Sequence, residues 1–159
     1  MSWYYDTIAP SYNELYGAEQ LSKWKLVKSL IPIKGLVLDA GCGTGLVTKE
    51  LSNVIGVDVS IELLKQCDSN LRVVCADVEY LPFKDKTFDT IVSFTVLQNV
   101  DGIVKAVSEF RRVLKEDGHI LITVLGKNEK KVSIIRNALK KMFKKIKEEN
   151  VKNDVAFFT

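Results

Sequence analysis

Short continuous apolar runs alternate along the chain with segments whose apolar positions recur at helical spacing. Leu21, Trp24, Val27, Leu30 and Ile31 mark a helix over 19–31, which Pro32 ends. Gly35–Ala40 is a brief apolar run stopped by Gly41 and reads as a buried strand. Val54–Asp58, Arg72–Cys75, Phe88–Phe94 and His119–Leu125 predict four further strands. Between them lie two helices. One runs from Ile61 to Cys67 with Ser60 as its cap, and the other from Gly102 to Leu114 with Ile103, Val107, Phe110 and Leu114 in phase. Residues 77–87 read as a loop, and Asp117-Gly118 marks a turn. Val132, Ile135, Leu139, Met142 and Ile146 predict a helix over 130–149, and Val155–Phe158 predicts a sixth strand.

Strands that are apolar throughout and separated by helices indicate a parallel sheet covered on both faces. Right-handed crossovers then give an α/β, doubly wound, mainly parallel sheet. A length of 159 residues with 47% hydrophobic positions suits one domain with a real core. No apolar run approaches the ~20 residues of a membrane span. Met1-Ser2-Trp3-Tyr4-Tyr5-Asp6 lacks the basic start and apolar stretch of a secretory signal. Cys42, Cys67 and Cys75 are odd in number and without C-x-x-C spacing, and His119 is the only histidine. Reduced thiols, no metal site, no membrane insertion and a cytoplasmic address are therefore expected.

Charge adds one feature. The formal net charge is +3, yet residues 127–152 carry nine lysines and Arg136 against Glu129, Glu148 and Glu149. That segment is strongly basic and the remainder is acidic. Such asymmetry fits either a surface for RNA or the ordinary solvated face of an amphipathic helix.

The most informative stretch is Val37-Leu38-Asp39-Ala40-Gly41-Cys42-Gly43-Thr44-Gly45, which leaves the first strand and enters a helix. Glycines there allow a tight turn and close approach of a ligand. Asp58 ends the second strand, where a carboxylate can accept both hydroxyls of a ribose. Asp77 follows the third strand, where an acceptor can meet the exocyclic amine of adenine. Loop and acids together describe a nucleoside site beyond the carboxyl ends of the strands. The spacing is G-x-G-x-G, with Leu46 in place of a third dinucleotide glycine, which disfavours NAD. The P-loop pattern is absent as well.

In these motifs the chain resembles class I S-adenosylmethionine (SAM)-dependent methyltransferases. The matching pieces are the glycine loop, Gly56-Val57-Asp58-Val59-Ser60, Ala76–Phe83 with Phe88-Asp89, and Arg112–Leu121, in the family order. Phe94-Thr95-Val96-Leu97-Gln98-Asn99-Val100 is similar to the ubiquinone/menaquinone C-methyltransferase (type 11) branch. Tyr5–Tyr12 resembles both that branch and tRNA wobble-uridine carboxymethyl methyltransferases. The resemblance implies a single SAM-dependent domain, with 1–34 as a helical cap, 35–125 as the cofactor-binding core, and 126–159 as a basic helix and terminal strand. It implies that Gly41, Gly43, Gly45 and Asp39 meet the methionine end of SAM. Asp58 and Val59 would serve the ribose and adenine, and Asp77 and the Val78 amide the adenine edge. Phe94 would line the methionine side, with Tyr12 as a lid.

Methyl transfer to an acceptor by in-line displacement needs alignment more than a dedicated acid–base pair, and no catalytic residue is singled out. His119 precedes the fifth strand, at the wrong end of the sheet for a base. No N-P-P-Y or Pro-Cys motif follows the fourth strand, which disfavours planar-nitrogen and cytosine-C5 routes. The acceptor stays open between a small molecule and RNA, and a non-catalytic, RNA-associated or partner-binding module is the alternative reading. Against the family pattern the sheet is expected to be C-terminally shortened by one strand. The terminal segment would take the vacant place beside the fifth strand, or a protein partner or second copy would cover an open edge.

Overall fold

The computed structural model describes residues 2–159. Two helices, α1 (Ser2–Ile8) and α2 (Tyr12–Val27), precede the sheet. The strands and remaining helices follow as β1 (Val37–Ala40), β2 (Val54–Asp58), α3 (Ile61–Leu64), β3 (Val73–Cys75), β4 (Phe88–Phe94), α4 (Ile103–Val113), β5 (Leu114–Leu125), α5 (Glu129–Met142), β6 (Lys147–Val151) and β7 (Asp154–Phe158). The sheet has seven strands in the order β3-β2-β1-β4-β5-β7-β6. β1 to β5 are parallel to one another, and β7 runs antiparallel to both β5 and β6. The doubly wound architecture is thus the one expected. Among the described residues no helix is long and apolar enough to cross a membrane.

Strand alternation builds two cores. Leu38, Ile91, Ile120, Ile122 and Phe157 face α4 and α5, where Val107, Phe110, Ile135 and Leu139 are buried. Val37, Val92, Phe94, Leu121, Ala156 and Phe158 face α2, packing with Trp24 and Val27. Each such side chain taken from water contributes about 1.5–3 kcal/mol before entropy is counted.

The expected shortening of the sheet is not found. α5 stops at Met142, and Phe143 turns extended (φ −122°, ψ 133°) with its ring buried. Lys147–Val151 then forms the edge strand, which the helical reading of 130–149 had absorbed. Val155–Phe158 belongs to the final strand, inserted between β5 and β6. Lys152 and Asn153 form the tight hairpin turn, with Lys152 at φ 55°. The vacant place beside β5 is therefore filled by the chain itself. The Asp117-Gly118 turn appears as an irregularity inside β5: Phe88 pairs with Leu114, and Thr90 with His119.

Candidate functional site

The glycine loop leaves β1 in a conformation few other residues tolerate. Gly41 has φ 84°, and a Cβ there would lie 2.1 Å from Val96 Cγ2. Hydrogen bonds hold the loop to β2. The amides of Gly41 and Cys42 both donate to Val57 O (2.7 and 2.9 Å), and that of Gly43 to Asp58 Oδ2 (2.9 Å). These amides are thus committed within the chain. What the loop offers a ligand is the bare backbone of Gly41, whose Cβ position Val96 occupies, rather than those donors.

Beyond the loop lies a cavity of about 530 Å³ at the carboxyl ends of the strands. It brings together Tyr12, Gly41, Asp58, Val59, Asp77, Val78 and Phe94 of the sequence-derived set. Asp39 lines only a small adjoining cavity, with Gln20, Thr44 and Phe94. Gly43 and Gly45 line neither. Gly45 is packed against Leu71 and Cys67.

Asp58 is held from both sides, with Ser60 N on Oδ1 and Gly43 N on Oδ2, each at 2.9 Å. A carboxylate has lone pairs beyond these, so it can still accept from a ligand. Burial pushes its pKa up, against the pull of those amides. Asp39 is buried and accepts from Thr48 Oγ1 (2.7 Å); burial raises its pKa to about 7. Asp77 is exposed, and its Oδ1 accepts from Glu79 N (2.8 Å), which orients the carboxylate. Val59 is an apolar side chain left 46% exposed beside it.

The N-terminal helices wall the cavity with Tyr4, Tyr5, Tyr12 and Tyr16, whose rings meet edge-on or tilted. Polar contacts fix this wall. Ser60 Oγ donates to Asp6 Oδ1 (2.5 Å), Asn99 Nδ2 to Tyr5 OH (2.7 Å), and Thr44 Oγ1 to Asn13 Oδ1 (2.6 Å). Burial pushes the Tyr5 phenol up to about 12 and the Tyr12 phenol higher still. Both therefore stay protonated at neutral pH, as hydrogen-bond donors and not bases.

Several lining residues carried no sequence signal of their own. Thr95, at the end of β4, is left-handed (φ 56°), an uncommon state for a β-branched residue. Its hydroxyl accepts from Gln20 Nε2 (3.0 Å), and its carbonyl accepts from Gln98 Nε2 (2.6 Å) and Asn99 Nδ2 (3.1 Å). Thr95, Gln98 and Asn99 lay in the quoted Phe94–Val100 run, but residue types alone do not reveal such a hub. Lys23, from α2, is 3% exposed and bridges Asp154 (2.8 Å) and Glu19 (3.1 Å) at the cavity wall.

Comparison with known proteins decides the family. Residues 38–122 match the model of a methyltransferase domain. The chain belongs to that methyltransferase family. A Methanocaldococcus jannaschii protein of uncharacterized function is 40% identical, covering 91% of this chain and 59% of the relative. An Arabidopsis thaliana tRNA (carboxymethyluridine(34)-5-O)-methyltransferase is 33% identical, covering 82% of this chain and 34% of that protein. The chain thus spans well under two thirds of the length of either relative. A Thermotoga maritima SAM-dependent methyltransferase shares the fold with a TM-score of 0.81 at 20% identity, covering 99% of this chain and 98% of that one. The methyltransferase family that the chain's ordered motifs resemble is the one found, and that family implies SAM as methyl donor.

Proposed function

We propose that the chain binds SAM in the 530 Å³ cavity and transfers its methyl group to an acceptor by in-line displacement. One observation carries this reading: the bare Gly41 backbone, the anchored Asp58 carboxylate and the oriented Asp77 carboxylate face one cavity. That combination fits a nucleoside with a narrow chain passing the loop. When bound, SAM supplies a methyl group on a sulfonium that is already a good leaving group. Asp58 would accept from the ribose hydroxyls, and the exposed Val59 would cover the adenine. Asp77 would accept from the adenine amine, with the Val78 amide on the ring. Phe94 packs on Trp24 and would back the methionine side under Tyr12, with Asp39 behind it. The tyrosine wall of residues 1–34 excludes water and aligns the reactants. In this reading 1–159 works as one domain.

The acceptor is a small molecule inside the cavity or a base of an RNA. Supporting the second, Lys127, Lys130, Lys140, Lys141, Lys144, Lys145 and Lys147 are exposed. Lys131 of α5 donates to Gln98 O at the cavity wall, joining the basic face to the site. Inside the cavity the lining cation Lys23 is already shared by two carboxylates, so RNA phosphates would find positive charge on and around α5 instead. Incubation with methyl-labelled SAM, followed by separation of RNA, protein and small-molecule fractions, tests the reading. Label in one fraction is expected. No transfer to any fraction contradicts the enzyme reading and favours a non-catalytic module.

A further inference from the structure

Two cysteines from separate elements converge on the glycine loop. Cys42 stands inside it, and Cys67 follows α3, after Leu64. Both sulfurs approach the same atom: Gly43 O lies 3.9 Å from Cys42 Sγ and 3.5 Å from Cys67 Sγ. Both thiols thus reach one loop carbonyl oxygen, and neither is bridged. Their environments differ. Cys42 is 9% exposed, whereas Cys67 is only half-buried and open to a small oxidant.

We propose that Cys42 and Cys67 form an oxidation site, closing to an intramolecular disulfide that distorts the glycine loop. The cross-link itself rests on the contact of both sulfurs with Gly43 O; its effect on ligand binding rests on the SAM reading above. Cys67 is the attacking thiol, because it is the more exposed of the two and the nearby Cys42 thiol holds its pKa below the usual thiol range. With a peroxide as oxidant, Cys67 sulfur bonds to one peroxide oxygen as the O–O bond breaks. The other oxygen leaves and takes the thiol proton as water or alcohol. Cys42 sulfur then attacks the resulting sulfenic acid, the S–S bond forms, and the hydroxyl leaves as water with the Cys42 proton. Two thiols lose two electrons and the peroxide gains them.

The consequence runs through Gly43. Its carbonyl oxygen contacts both sulfurs, and its amide holds Asp58 Oδ2 at 2.9 Å. Drawing the sulfurs to bonding distance, ~2 Å, displaces that peptide and the carboxylate it anchors. Gly45 is close-set against Cys67 and Leu71, so the loop has little room to absorb the shift.

The test treats the whole protein with hydrogen peroxide and compares it with the dithiothreitol-reduced form. Free thiols are counted after denaturation, the bridge is mapped by peptide mass, and affinity for S-adenosylhomocysteine is measured. The expected result is loss of two of the three thiols, a Cys42–Cys67 peptide, and affinity lower by about tenfold or more, restored by dithiothreitol. Cys75→Ser should behave like the parent, and Cys67→Ser should keep the same affinity with and without peroxide. Retention of all thiols, a bridge to Cys75 or between chains, or a bridged protein that binds as tightly as the reduced one overturns the proposal. A reduced protein that ignores the ligand instead overturns the cofactor reading, while the mapped bridge still decides whether the oxidation site exists.

Discussion

Asp58 Oδ2 accepts the amide proton of Gly43 at 2.9 Å, tying the end of β2 to the turn that leaves β1. The same carboxylate accepts from Ser60 N, so it both shapes the loop and faces the cavity. Asp58→Ala removes the anchor and the ribose acceptor together. Calorimetry should find S-adenosylhomocysteine binding weaker by about tenfold or more, the scale of a hydrogen bond to a charged group. Unchanged affinity would remove Asp58 from the site.

The loop glycines should differ in their tolerance of a side chain. At Gly41 a Cβ meets Val96 at 2.1 Å in addition to the left-handed backbone, whereas at Gly43 it makes only ordinary contact with the Tyr12 ring at 3.6 Å. Gly43→Ala should cost about 1–2 kcal/mol, from the left-handed penalty alone. Gly41→Ala should cost clearly more, or prevent folding. Urea unfolding of both variants checks the order, and equal losses contradict it.

Lys23 and Asp154 form an ion pair with both side chains buried, joining α2 to β7. Lys23→Met strands a buried carboxylate and should cost about 3–5 kcal/mol in denaturant unfolding. The double variant Lys23→Met/Asp154→Leu should recover most of that loss, because no charge is left unpaired. Additive losses would mean the pair is not coupled.

Burial raises the Asp39 pKa to about 7, above its value in an unfolded chain. The native state therefore holds a proton that the unfolded state has released. Asp39 makes stability fall as pH rises from about 4 to about 7, and the loss then levels off. Asp39→Asn should flatten that slope and gain most relative to the parent above pH 7. Chemical unfolding at several pH values checks this, and parallel curves for parent and variant count against it.

The strands β1 and β4 were readable because each is an apolar run buried on both faces, as in Val37-Leu38 and Ile91-Val92, and the edge strand β3 because Val73-Val74 is a short apolar run. The edge strand β6 was not. Lys147, Glu148, Glu149 and Asn150 are exposed charged or polar residues on an unpaired edge, and they follow a basic helix without any break by Gly or Pro. For α1 and the first half of α2 only the family resemblance implied helices, because the tyrosines there line a cavity and no apolar core-facing stripe marks the segment. Asp58 and Asp77 were recognisable from their place after strands. The Thr95 hub was not, since it depends on one left-handed residue and on side chains from three elements.

The account stands most directly on the structure of the protein bound to S-adenosylhomocysteine. It predicts ribose hydroxyls on the Asp58 carboxylate, adenine between Val59 and Asp77, and the homocysteine chain passing Gly41 toward Phe94. Ligand density elsewhere on the molecule, or an adenosine that touches neither carboxylate, would contradict it.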